Sequence, residues 1–222
     1  MACSWKCCTF ADVKIFGIGM NYLMHTEELD GKAYVPSVPV IFTKADSALL
    51  KDGKPFFVPD DMGRIDYEGE LVVRICRLGK AIPLQFAHRY YDAVTVGLDF
   101  TARDMQAKAR QEGLPWTICK GFDGSAIIGD WLPLQSFSEG EKTDIQSLHF
   151  RLDKNGSPVQ QGFTGDMLYS VDALISYLSR YFTLKTGDLL FTGTPVGVGP
   201  VAIGDLLEGY IEGRKVLECR CK

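Results

Sequence analysis

The stretch Asp66-Tyr67-Glu68-Gly69-Glu70-Leu71 sets two carboxylates two residues apart within a run that reads as a strand from Ile65 to Cys76. Side chains alternate faces along a strand, so Glu68 and Glu70 are expected to project side by side. Like charges held that close repel and lose solvation, a cost relieved when a cation sits between them. Gly69 takes bulk off the opposite face and is expected to let another backbone come close. The same pair would also suit the polar face of an exposed edge strand. A third carboxylate, Asp99, stands where an apolar strand ends and a helix begins, a place where side chains commonly face a site. Three carboxylates make a hard oxygen donor set, which selects Mg²⁺, Mn²⁺ or Ca²⁺ over zinc or copper.

Cationic and amide side chains gather on the same elements. Arg103 and Gln106 are three apart on the helix after Asp99 and share a face. Lys120 follows Trp116-Thr117-Ile118-Cys119, and Lys44 ends the second strand. Each alone would pass for a solvated surface residue; together they suit a doubly anionic substrate. His25 and Glu28 are three apart on a short helix expected after Asn21. A carboxylate beside an imidazole orients the ring and raises its basicity, as a general base requires, although a structural histidine fits the spacing as well. The segment Thr192-Gly193-Thr194-Pro195-Val196-Gly197-Val198-Gly199-Pro200 lacks the Gly-Lys-Ser/Thr ending of a phosphate loop. It could present hydroxyls and backbone N–H groups to a carboxylate, or serve as a tight turn.

The elements that must position these residues are mostly strands. Val13–Gly19, Val40–Thr43, Ala93–Leu98 and Ser147–Leu152 read as strands, with Asn155-Gly156 as a hairpin turn. Pro83–Tyr91 reads as helical. A capping box at Thr101-Ala-Arg-Asp104 is expected to open a helix ending near Gly113, and Asp166 to cap an amphipathic helix through Leu178. Gly-Asp-Leu-Leu occurs at 187–190 and again at 204–207, which reads as two similar turns. This irregular, strand-rich order points to an α+β fold on a mixed or antiparallel sheet, with residues 13–222 as one domain after an N-terminal extension at 1–12. At 222 residues the chain can bury a sizeable core without a disulfide or metal staple. The seven cysteines are odd in number and show no C-x-x-C spacing, so they read as reduced thiols of a cytoplasmic protein. A net charge of −4 with scattered basic residues argues against a nucleic acid or an anionic membrane as partner.

Five motifs in order carry a resemblance. They are Gly19-Met-Asn-Tyr with His25, Asp66-Tyr-Glu-Gly-Glu-Leu, Gly97-Leu-Asp-Phe-Thr-Ala-Arg-Asp, Lys120-Gly-Phe-Asp, and Gly193-Thr-Pro-Val-Gly-Val-Gly-Pro. Taken together they resemble the fumarylacetoacetate hydrolase family over nearly the whole chain. The resemblance implies a mixed β-roll with a few peripheral helices, usually as a homodimer, and a divalent metal, commonly Mg²⁺ or Mn²⁺. It implies Glu68, Glu70 and Asp99 as metal ligands and His25 with Glu28 as a water-activating dyad on a segment that closes over the ligand. Lys120 is then a catalytic cation, and Arg103, Gln106, Thr194 and Lys44 contact the substrate's carboxylate and oxo groups.

The activity this implies is hydrolysis of a 2,4-dioxo acid, an acylpyruvate such as fumarylpyruvate or acetylpyruvate, to pyruvate and a carboxylate. The same metal–enolate chemistry would serve oxaloacetate decarboxylation, or isomerisation and decarboxylation of homocatechuate-pathway acids. A non-catalytic Ca²⁺ site is disfavoured because three carboxylates are too few for a cage of six to eight oxygens. A glycosidase is disfavoured because a Glu pair on one strand face is too close to flank a sugar.

Overall fold

The computed structural model describes residues 13–24, 34–50, 53–137 and 144–222. The expected extension at 1–12 and the His25/Glu28 dyad lie outside the described residues. Strand β1 (Ile15–Gly19) pairs antiparallel with β2 (Val40–Lys44), Ile15 opposite Lys44 and Gly19 opposite Val40. The single strand expected over 65–76 is broken at Glu68 into β3 (Ile65–Tyr67) and β4 (Gly69–Ile75). Next come β5 (Tyr91–Asp99), the short β6 (Thr101–Ala102), β7 (Ala126–Ile128) and β8 (Leu132–Pro133). Strands β9 (His149–Lys154) and β10 (Ser157–Phe163) follow, then β11 (Leu189–Phe191) and β12 (Gly199–Pro200). The chain ends with β13 (Leu206–Ile211) and β14 (Arg214–Arg220). Three α-helices are described: α1 (Arg103–Glu112), α2 (Thr117–Gly121) and α3 (Val171–Tyr181). The segment expected as a helix near Pro83 is a 3₁₀ stretch, Leu84–Arg89. None of the described helices is long and apolar enough to cross a membrane.

The strands form three sheets. The largest runs β2-β1-β11-β4-β5-β7 with β8 also on β5, and the others run β10-β9-β13-β14 and β12-β3-β6. Among the described strand pairs of the large sheet only β1 with β11 is parallel, so the α+β, mixed-sheet expectation holds. Alternation along β4 sorts its side chains: Leu71 and Val73 enter the main core, while Val72 packs on the other face with Ile15, Leu189 and Phe191. Full burial of such aliphatic side chains contributes roughly 1.5–3 kcal/mol each. The four-stranded sheet closes over this core where Gly209 meets β5; a Cβ there would lie 2.7 Å from Val96 Cγ1.

Two neighbouring strands change sheets at the same level. The chain leaves the three-stranded sheet at Glu68 to enter β4, and β5 leaves the large sheet after Asp99 to enter β6. The Asp99 N–H donates to the Glu68 carbonyl at 2.9 Å, which ties the two switch points together. Sequence patterning reads strands one at a time and cannot show such a coincidence.

Local hydrogen bonds depart from expectation at three caps. Thr101 is in β6 and its hydroxyl donates to the Asp99 carbonyl, so α1 has no side-chain cap and begins after Ala102. It ends as expected at Gly113, with φ 68°. Helix α3 is capped by Ser170, whose Oγ accepts from the Ala173 N–H, while Asp166 sits in a preceding 3₁₀ turn. Ser170→Ala should therefore cost about 1 kcal/mol in a urea titration, and an unchanged midpoint would contradict the cap. Asn21 clamps rather than caps: its Nδ2 donates to the Thr192 and Tyr169 carbonyls and its Oδ1 accepts from the Tyr169 N–H.

The turn expectations fare better. Asn155 and Gly156 have φ 53° and 78°, as the tight hairpin between β9 and β10 requires. The two Gly-Asp-Leu-Leu segments share one geometry. Asp188 Oδ2 accepts from the Lys185 N–H and Asp205 Oδ2 from the Ala202 N–H, each at 2.7 Å, and Gly187 and Gly204 have φ 94° and 95°.

Candidate active site

The double sheet switch brings Glu68, Glu70 and Asp99 together, each offering an oxygen within 4.8 Å of the others. All three are buried, with 4%, 1% and 0% of their surface exposed. Room for them comes from Gly69, although side chains rather than a backbone approach its bare face. A Cβ there would sit 3.1 Å from Gln160 Oε1 and 3.2 Å from Leu152 Cβ. Gln160 holds this corner: its Oε1 accepts from the Gly69 N–H, and its Nε2 donates to Thr194 Oγ1 and to the Pro195 carbonyl.

The cations around the triad are unevenly shared. Lys120, presented by α2, donates to Glu68 Oε2 at 2.6 Å and to Asp99 Oδ2 at 2.7 Å, with its Nζ 5.2 Å from the centre of the Phe42 ring. Arg103 donates from Nη2 to Glu68 Oε1 at 2.7 Å, from Nε to Asp66 Oδ2 and from Nη1 to Gln106 Oε1. Buried Asp66 also receives Arg64 and so locks the Arg103 fork in place. Glu70 Oε2 accepts from the Gly193 N–H at 2.7 Å. Burial first, then Asp99 and Glu68, push the Glu70 carboxyl well above the usual carboxylate range. Burial alone would lower the Lys120 ammonium, but Asp99 and Glu68 outweigh it and hold it above its ordinary value.

Lys44 lies elsewhere than expected. Its Nζ sits behind Asp99, 2.7 Å from Oδ1, and donates to the Lys120 carbonyl and to the Ser125 carbonyl and hydroxyl. Burial pushes its ammonium below the ordinary value, with Asp99 opposing. Phe42, two residues earlier on β2, lines the pocket, whereas Lys44 braces the back of Asp99. The buried Lys44 ammonium thus pairs with Asp99 Oδ1, while Lys120 holds Oδ2. A buried all-oxygen donor set whose members lie within reach of one ion, with one carboxyl under like-charge pressure, fits a hard divalent cation at Glu68, Glu70 and Asp99.

A small pocket opens in front of the triad. Its polar wall is Glu68, Glu70, Lys120, Gln106, Thr194 and Arg110, and its apolar wall Ile18, Met20, Phe42 and Trp116. Thr194 reaches it as expected, with its hydroxyl donating to the Gly69 carbonyl. Arg103 and Gln106 share a face as expected, Arg103 bonded to Glu68 and Gln106 in the pocket wall. The glycine-rich loop docks on the end of β1: Gly193 has φ 100°, and a Cβ there would lie 2.8 Å from Asn21 Cβ. The same Asn21 clamp holds Met20 at φ 59°, an uncommon value for a residue with a side chain. Sequence reasoning missed Arg110, although four-residue spacing from Gln106 on one helix marks it. It also missed Gln160 and the role of Asp66.

Comparison with known proteins places the chain in a family. Residues 14–222 match the model of the fumarylacetoacetate hydrolase C-terminal domain. The chain belongs to the fumarylacetoacetate hydrolase family, an enzyme family. It is 40% identical over 200 residues to the mitochondrial oxaloacetate tautomerase of Arabidopsis thaliana, covering 90% of this chain and 86% of that one. It is 37% identical over 203 residues to an oxaloacetate tautomerase of Escherichia coli, covering 91% and 90%. A fumarylpyruvate hydrolase of Pseudomonas aeruginosa, solved with Mn2+ and pyruvate, superposes with a TM-score of 0.84 at 34% identity, covering 94% of this chain and 88% of that one.

Proposed function

We propose that the chain is a divalent-metal-dependent enzyme that interconverts the keto and enol forms of a small 2-oxo acid of the oxaloacetate type. The observation that carries this reading is the buried Glu68/Glu70/Asp99 triad with Lys120 bonded to two of its members at the floor of a pocket. The similarity to oxaloacetate tautomerases supports the same substrate. When bound, a Mg²⁺ or Mn²⁺ ion held by the triad supplies Lewis-acid polarisation of the 2-oxo group and stabilises enolate charge.

The chain's own residues do the rest. Lys120 keeps a positive charge beside the oxygen on which negative charge develops, a preorganised arrangement that costs nothing at the moment of reaction. Arg103 fixes the Gln106 carbonyl oxygen and so turns the amide N–H₂ toward the substrate's carboxylate. Ile18, Phe42 and Trp116 keep water away from the reacting carbon. Enolisation takes a proton from C3 and adds one to the 2-oxo oxygen, ketonisation does the reverse, and His25, paired with Glu28 in the sequence, is the residue proposed to carry the proton at C3.

A second reading, hydrolysis of an acylpyruvate, is favoured by the likeness to a fumarylpyruvate hydrolase that binds pyruvate and by the same dyad acting on water. One assay addresses both. Decay of the enol absorbance of oxaloacetate should be accelerated by the protein with Mg²⁺ or Mn²⁺ and not in excess chelator, while pyruvate release from an acylpyruvate panel reports hydrolysis. Absence of any metal-dependent acceleration would contradict the proposal.

A further inference from the structure

Thr194 stands in the pocket wall with Glu68 and Glu70, and the chemistry above does not use it. We infer that its hydroxyl meets a ligand as a hydrogen-bond acceptor and not as a donor, and that Gln160 is the positioning residue that fixes this polarity. The wall is thereby built to receive an O–H, which the enol form of a 2-oxo acid carries at C2 and the keto form lacks. This inference rests on reading the site as a 2-oxo-acid enzyme.

The polarity follows from a chain of hydrogen bonds. The Gly69 N–H can only donate, so the Gln160 atom facing it at 2.8 Å is the amide oxygen. The Gln160 nitrogen then faces Thr194 Oγ1 at 2.8 Å and the Pro195 carbonyl at 2.9 Å. That carbonyl can only accept, which demands the same orientation of the amide. With Gln160 donating to it, the Thr194 oxygen sends its own proton to the Gly69 carbonyl at 2.9 Å. A hydroxyl has one proton and two lone pairs. The proton and one lone pair are engaged, so what Thr194 keeps for a ligand is a lone pair.

The arrangement is firmly held. Gln160 and Thr194 are only 2% and 3% exposed. Turning the amide over would set N–H against N–H at Gly69 and oxygen against oxygen at Pro195, leaving buried polar groups unpaired. Thr192 behaves alike: its hydroxyl donates to the Leu71 carbonyl at 2.8 Å, so both threonines of the loop commit their protons to β4. Gly69 lies between Glu68 and Glu70, and the bond to its carbonyl seats Thr194 Oγ1 beside the triad. A 2-oxo acid bound by its carboxylate and C2 oxygen at the triad brings that C2 oxygen to this wall.

The test follows two probes on Mn²⁺-loaded protein by titration calorimetry. Pyruvate and lactate share a carboxylate and a methyl group and differ at C2, where one has an oxo acceptor and the other a hydroxyl donor. Thr194→Val removes the threonine hydroxyl with little change of shape. It should weaken lactate about 3- to 10-fold, the usual worth of one neutral hydrogen bond, and leave pyruvate within about twofold. Thr194→Ser should bind both as wild type does. Gln160→Met frees the Thr194 proton to turn toward a ligand, so the lactate-to-pyruvate affinity ratio should fall about 2- to 5-fold. A melt of each variant establishes that it is folded.

Equal weakening of pyruvate and lactate in Thr194→Val would show a donor holding the shared carboxylate and would overturn the inference, as would no change in either. An unchanged ratio in folded Gln160→Met would overturn the role given to Gln160. All three results leave the functional reading standing. A wild-type protein that bound neither probe would overturn both.

Discussion

Glu70→Gln is expected to lower metal-dependent turnover of oxaloacetate by about 10³-fold while leaving the protein folded. Glutamine keeps an oxygen that can accept from the Gly193 N–H, so the glycine-rich loop stays docked. What disappears is one of three anionic ligands and, with it, the Lewis-acid assistance that depends on a bound cation. That assistance is worth several kcal/mol, and about 4 kcal/mol corresponds to 10³ in rate. The metal-free protein should respond in the opposite direction. Glu70 is fully buried beside Asp99 and Glu68 and accepts from a neutral backbone N–H, that of Gly193. Removing its charge relieves repulsion, so Tm in chelator should rise by a few degrees, as when activity and stability oppose each other at a site. A loss of activity below about tenfold would argue against Glu70 as a ligand.

Lys120→Met carries the second large effect. The ammonium bonds Glu68 and Asp99 simultaneously at 2.6 and 2.7 Å in a buried site. Taking one partner out of a buried ionic cluster leaves uncompensated charge and costs about 3–5 kcal/mol. For a chain of this length that is roughly 10 °C in Tm. Mg²⁺ should restore much of the loss, because a divalent ion offsets the same two carboxylates and stabilises by mass action. The rise in Tm on adding Mg²⁺ should therefore be larger for Lys120→Met than for wild type. Turnover should stay low even at saturating metal, by about 10²- to 10³-fold, if Lys120 also stabilises developing negative charge. Equal Mg²⁺ shifts in the two proteins would show that ammonium and metal do not share these carboxylates.

How much of this was legible in the sequence varies with how local each signal is. The triad was legible because Glu68 and Glu70 are two apart in one motif and Asp99 closes an apolar strand. The reason they meet was not legible, because it lies in two strands changing sheets at Glu68 and after Asp99. Lys44 was read from its place at the end of the second strand as a substrate contact, yet its side chain reaches past the pocket to Asp99 and Ser125.

Asn21 is a good capping type whose side chain is taken by Thr192 and Tyr169 far along the chain, while the Thr101 hydroxyl bonds the Asp99 carbonyl two residues back and Asp166 lies in a 3₁₀ turn. Ser170, four residues beyond Asp166, caps α3 instead. Gln160 supports Gly69 across 91 residues and had no local signal at all. The hairpin at Asn155-Gly156 and the stop at Gly113 were readable because each rests on one residue's backbone preference.

The most direct measurement is a Mn²⁺ titration followed by electron paramagnetic resonance on wild type and on Glu70→Gln. One Mn²⁺ per chain is predicted for wild type, with affinity at least 100-fold weaker in Glu70→Gln, since even changes behind the ligands shift metal affinity 10- to 100-fold. Equal affinity and stoichiometry in the two proteins would place the ion elsewhere and contradict the account.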